Sequence, residues 1–258
     1  MDTGIDIDHP ALGGNGVNGA TPFPSLRVTH GWDFVGNLFN ADSTSPSYNP
    51  VPAPGPNPDD CQAHGTHVAG IVGANGGPGG IKGVAPGVTF GAYRVFGCVG
   101  STTADIMISA MERALADGLH VLNMSIGSSF QWPQYPTAQA SDRLVNKGMV
   151  VVASIGNSGA NGLYSAGAPG VGKKVIGVAS FDNTHSTLST FTVSPDNLPI
   201  GYGPATGSPL PPTSGMAPMA RTGTATTGND ACNAVAPAAG SLSGKVALIR
   251  RGACGFHE

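Results

Sequence analysis

The sequence has 258 residues, enough for one large domain or two modest ones at roughly 150 residues each. Its 40 glycines and 22 prolines are balanced by 40% hydrophobic residues and a net charge of only -3, which excludes a disordered chain and implies a core cut by many loops. With 12 Lys and Arg against 15 Asp and Glu there is no basic footprint for nucleic acid, and the longest apolar run, Met149 to Ala153, is far too short to span a bilayer.

In chain order, Asp2-Thr3-Gly4-Ile5-Asp6 comes first, and residues 13–63 read as loop, with prolines 46, 50, 52, 54, 56 and 58 giving an extended excursion. The small-residue stretch from His64 to Gly73 predicts a tightly packed, buried helix. Val88 to Phe96 predicts a strand. Thr102 or Thr103 is placed to cap a helix running to about Ala116, with Gly118 at its stop. Val121 to Ile126 is the next strand, Ala138 to Asn146 a helix, Met149 to Ile155 a continuous apolar strand, and Val175 to Ala179 another.

This alternation predicts an α/β fold, doubly wound, with a mostly parallel sheet covered on both faces. Ligands bind beyond the carboxyl ends of such strands, where Asp2, Ser125 to Gly127 and Gly156 to Gly159 fall. Past residue 180 the composition turns to Thr, Ser, Pro and Gly without helical periodicity. The expected organisation is therefore an α/β domain over 1–180 and a β-rich module over 181–258, with a strand at Val246 to Ile249.

Chemistry concentrates in His64-Gly65-Thr66-His67-Val68-Ala69-Gly70-Ile71. An imidazole at the mouth of a helix is suited to act as general base, and it needs a carboxylate on its other nitrogen. Asp2 is the candidate. A zinc pair of His64 and His67 at i, i+3 is the competing reading, but the helical zincins use i, i+4 with a Glu between. His67 reads instead as a core or supporting histidine.

Asp2 to Asp6, His64 to Ile71, Leu122 to Gly127 and Ser154 to Gly159 resemble, in order and spacing, the blocks of the subtilases, the subtilisin-like serine proteases. The resemblance implies a secreted endopeptidase acting on protein or peptide substrates through an Asp, His, Ser triad. By it, Asp2 orients the base, His64 is the base, and Asn157 after Gly156 supplies the oxyanion-hole donor. Ser125, Ile126 and Gly127 would pair with substrate backbone and wall the specificity pocket. No cofactor is implied; structural calcium is a family habit, but no ligand set stands out here.

Gly244 to Phe256 resembles the central strand and turn of a protease-associated domain, which large secreted subtilases carry as an insertion. Four cysteines allow three connectivities; Cys61 with Cys98 would staple the histidine loop to the sheet, and Cys232 with Cys254 would close a loop in the second module. The family's Gly-Thr-Ser-Met-Ala block does not occur in the sequence, and Thr213 to Pro218 reads as a loop. The expectation is a fragment at both ends, without the nucleophile and without a visible signal peptide, inactive by itself. A non-catalytic binding module is the alternative.

Overall fold

The chain divides into two compact units, Met1–Asp182 and Asn183–Glu258. The computed structural model describes residues 1–77, 80–181, 184–185, 188–203, 212–224, 226 and 237–249. In the first unit the order is β1 (Val28–Asp33), α1 (His64–Gly73), β2 (Phe90–Arg94), α2 (Ala104–Ala116), β3 (Val121–Met124), α3 (Pro136–Asn146), β4 (Val150–Ser154) and β5 (Ile176–Val178). Apart from β1, each lies where the sequence pattern places it, trimmed by a residue or more at most strand ends.

β1 corrects the reading of residues 13–63 as loop. Its hydrophobic alternation is broken by a register shift between Val28 and His30, so the period-2 signal is missing. What holds it is close packing on β2: a Cβ on Gly31 would come 2.2 Å from the Ala92 carbonyl oxygen.

α2 buries Met107, Ala110, Met111 and Ala114, one stripe at helical spacing. Thr103 occupies its N-cap by backbone geometry, but the hydroxyls of Thr102 and Thr103 make no hydrogen bond among the described residues. The expected side-chain cap is therefore absent, and the helix rests on its packing. Gly118 follows in a left-handed conformation, φ 77°, as a helix stop requires. α3 starts earlier than its apolar pattern indicates, because Pro136 is pre-set for a first turn.

All strand pairs in this unit are parallel, as βαβ connections demand. They form two sheets, β1-β2 and β3-β4-β5, rather than the single sheet expected. A groove of about 690 Å³ between β2 and β3 separates them, lined by Phe90, Ala92, Tyr93, Leu119 and Leu122 among others. One end is bridged by the first two residues. Asp2 N donates to Tyr93 O and Asp2 O accepts from Val95 N, while Met1 N donates to Asn123 O.

Two cores result. The larger joins α2 and α3 to Tyr93, Leu122, Met124, Val151 and Ala153. The smaller joins Ala69 of α1 to Ile5, Leu12, Val28 and Ala92. Each fully buried aliphatic contributes about 1.5–3 kcal/mol. β4 is not buried on both faces as a continuous apolar strand would be; Val151 and Ala153 are buried, while Val150 is 46% exposed.

The second unit contains two short pairs, β6 (Ser189–Thr192) antiparallel with β7 (Pro199–Tyr202), and β8 (Met219–Arg221) parallel with β9 (Val246–Leu248). β9 is the strand expected at Val246, and Thr213 to Pro218 is loop. Cys232, Cys254 and the residues from Arg250 onward lie outside the described residues. No helix among the described residues is long and apolar enough to cross a membrane.

Candidate active site

Asp2 is held by the backbone rungs to Tyr93 and Val95, which fix its carboxylate beside the start of α1. His64 is the first residue of that helix, entered through Ala63 in a left-handed conformation, φ 76°. His64 Nδ1 lies 2.6 Å from Asp2 Oδ1. A carboxylate only accepts, so the proton of this bond sits on Nδ1 and the lone pair is left on Nε2. Asp2 Oδ1 also accepts Thr3 N at 2.8 Å. Asp2 is buried, whereas the imidazole is half exposed, the combination that a buried orienting acid and an accessible base require.

The approach of the two segments needs glycine. A Cβ on Gly65 would stand 2.2 Å from Gly4 O, and one on Gly4, φ 115°, would meet Pro58 O at 2.6 Å. Gly65 N donates instead to Thr3 Oγ1 at 2.8 Å. Small residues after His64 thus serve the seat of the histidine as well as helix packing.

Asn157 follows β4 through Gly156, whose φ of 101° favours glycine. Ser125, Ile126 and Gly127 follow β3. These residues, with Asp2, His64, Phe96 and Gly167, line one cleft of about 340 Å³. The structure therefore brings Asp2, His64, Ser125 to Gly127, Gly156 and Asn157 together from four separated sequence blocks. Ser158 Oγ donates to Ser129 Oγ at 2.9 Å and ties two of its walls.

Two sequence-based assignments are refined. Ile126 is buried in the larger core and steadies the cleft wall from behind. Gly127 is required by the protein's own backbone, because its Cβ would come 2.5 Å from Ala168 O. Ser128 and Ala168 exchange two backbone hydrogen bonds there, so buried Ala168 backs the wall of the cleft that Gly167 lines. Sequence reasoning passed over them; the small-residue run Ser165 to Ala168 before Pro169 is their only mark. His67 is exposed and not a core residue. Among the described residues no group of three His, Cys, Asp or Glu is arranged to hold a metal ion.

Cys61 and Cys98 are disulfide-bonded, which joins the loop before His64 to the segment after β2. Beside the bridge, buried Arg94 donates to Asn37 Oδ1, to the carbonyls of Phe96 and Asp59, and to Cys61 Sγ. An acidic recess lies near, lined by Asp6, Asp8, Asp59 and Asp60. Its carboxylates are already engaged: Asp8 accepts the amides of Gly19 and Thr21, and Asp59 those of Ile7 and Asp60. Burial, then the charges of Asp6 and Asp8, push the Asp59 carboxyl above its ordinary range, against the pull of the Ile7 amide.

A family model described as the subtilase family matches residues 1–246. The chain is 39% identical over 195 residues to the minor extracellular protease Vpr of Bacillus subtilis (strain 168), which covers 75% of this chain and 21% of that protein. It is 37% identical over 197 residues to subtilisin DY of Bacillus licheniformis, covering 75% and 59%. Among solved structures, sphericase superposes with a TM-score of 0.51 at 30% identity, over 72% of this chain and 53% of that one. The chain thus spans less than two thirds of the length of each of these relatives.

Proposed function

The chain belongs to the subtilase family, and from that premise we propose that it carries the base and oxyanion parts of a secreted serine endopeptidase. The single observation that carries the reading is the 2.6 Å bond between His64 Nδ1 and Asp2 Oδ1 in a cleft shared with Asn157. His64 Nε2 takes the proton from an attacking serine hydroxyl and returns it to the leaving amine. Asp2 holds the tautomer and stabilises the imidazolium. The Asn157 amide donates to the oxyanion; a donor of this kind is worth about 2.7–4 kcal/mol, a figure that comes from a subtilisin's own oxyanion asparagine rather than from this chain. Ser125 to Gly127 offer backbone groups to an extended peptide.

The 258 residues contain no Gly-Thr-Ser-Met-Ala block. The reading therefore assigns the nucleophile to a polypeptide segment that has one, and no acyl-enzyme to these residues alone. Residues 181–258 are read as part of a protease-associated domain, on the strength of the Gly244 to Phe256 pattern.

The test uses a polypeptide that joins these residues to the serine block. It should hydrolyse a chromogenic peptide and be titrated by a fluorophosphonate, and His64→Ala should lower kcat by about 10⁴-fold or more. Undiminished turnover in the His64 variant would sink the assignment.

A further inference from the structure

Asp60 is a short-range neighbour of His64 in sequence, but its carboxylate hydrogen-bonds other groups than the imidazole and Asp2. Its carboxylate nevertheless gathers five donors. Oδ1 accepts Thr3 Oγ1 at 2.9 Å, Gln62 N at 2.8 Å and Ala63 N at 3.0 Å. Oδ2 accepts Thr66 N at 3.0 Å and Thr66 Oγ1 at 2.6 Å. Two of these donors come from the first turn of α1 and one from the residue after Asp2.

The two threonines carry the connection onward. Thr3 Oγ1 donates to Asp60 and accepts Gly65 N, and Thr66 Oγ1 donates to Asp60 and accepts Asp6 N. Each bridges the Asp2 to Asp6 segment and the helix start. Ala63, at the N-cap, has no side chain able to accept these amides. Asp60 does so from outside the helix, where a negative charge also suits the dipole. Its own place is fixed on both sides, by Arg94 on the Asp59 carbonyl and by the Cys61–Cys98 bridge.

We propose that Asp60 is a positioning residue for the Asp2–His64 couple, its carboxylate clamping the Thr3 turn and the first turn of α1 together through Thr3 and Thr66. The proposal rests on the reading of His64 as base. The donors arrayed around it demand two acceptor oxygens. Asparagine would turn an NH₂ group toward either the Thr66 donors or the Thr3, Gln62 and Ala63 donors, so an isosteric change breaks half the clamp.

The experiment is ¹⁵N-histidine NMR on the full 258-residue chain, observing the Nδ1 proton of His64, with far-UV circular dichroism as the fold control. The parent should give a downfield, slowly exchanging Nδ1 proton that Asp2→Asn removes. Asp60→Asn and Thr66→Val should each speed its exchange with water at least tenfold while the circular dichroism is unchanged. When joined to the serine block, Asp60→Asn should lower kcat by about 10–100-fold with KM nearly constant, the signature of a misplaced base. If Asp2→Asn removes the signal but Asp60→Asn and Thr66→Val leave its exchange rate alone, the clamp is refuted and the base assignment stands. If Asp2→Asn itself has no effect, the base assignment fails first. Should Asp60→Asn lose the fold, Thr66→Val decides by the same criterion.

Discussion

Arg94 Nη1 stands 3.3 Å from Asp33 Oδ2, and both side chains are almost wholly buried, at 3% and 8% exposure. The pair ends two parallel strands at the same level, since Asp33 of β1 registers with Arg94 of β2. Asp33 also accepts the amides of Val35 and Gly36, and Arg94 also fixes the loop before His64. A buried pair of this kind is costly to break on one side only, because the remaining charge keeps its desolvation penalty. Arg94→Met should therefore destabilise the chain by about 3–5 kcal/mol in urea unfolding. The double variant with Asp33→Asn should recover part of that loss. A single variant costing under about 1 kcal/mol would mean that the pair is solvated and structurally idle.

Glycines in α1 separate into two kinds. A Cβ at Gly65 collides with Gly4 O at 2.2 Å, whereas one at Gly70 meets nothing within 4 Å. Gly65→Ala should cost about 1–3 kcal/mol from overpacking and abolish the Asp2–His64 bond. Gly70→Ala should raise stability by about 0.5–1 kcal/mol, because alanine loses less backbone entropy in a helix interior. Thermal unfolding of the two variants side by side checks the contrast; equal and opposite signs in the reverse order would contradict the packing.

Acid stability follows from the hydrogen-bonded carboxylates. For Asp60, burial pushes its carboxyl upward, but the bonds from Thr66, Gln62 and Thr3 outweigh it and leave it below the ordinary range. Asp8 is lowered by bonds from Thr21 and Gly19, and Asp42 by Thr44. In the unfolded chain these groups titrate near 3.9, so between the folded and unfolded values the unfolded state binds more protons. Their stabilisation is complete above about pH 5, well above the unfolded value, and is lost as pH falls through the lowered folded values. Asp59, raised by burial, works in the opposite sense and flattens the curve. The unfolding midpoint should fall between pH 5 and pH 2.5, less steeply in Asp60→Asn. An identical slope in that variant would show that Asp60 contributes no linkage.

Much of this protein is written in local pattern. The α2 stripe, the parallel βαβ spacing and the four ordered blocks are read from residue types alone, since helical period, β-branched runs and glycine turns act over a few neighbours. The family membership follows from the same blocks. β1 was invisible because its signal is a close approach to β2 at Gly31, not an alternation of its own.

Asp60 escaped for a related reason. It sits in a loop without periodicity, and its importance lies in five donors, of which Thr3 comes from 57 residues away. Gly127, expected in the wall of the specificity pocket, does line the cleft, but a side chain there is excluded by the Ala168 carbonyl, a neighbour distant in sequence. The sequence by itself determined which residue types carry the chemistry and the order of the elements that hold them. Only the tertiary structure decided that Asp2 and His64 meet at 2.6 Å, and that two threonines and the Asp60 carboxylate set the contact. Those are properties of long-range packing and hydrogen bonding, which local sequence pattern does not encode.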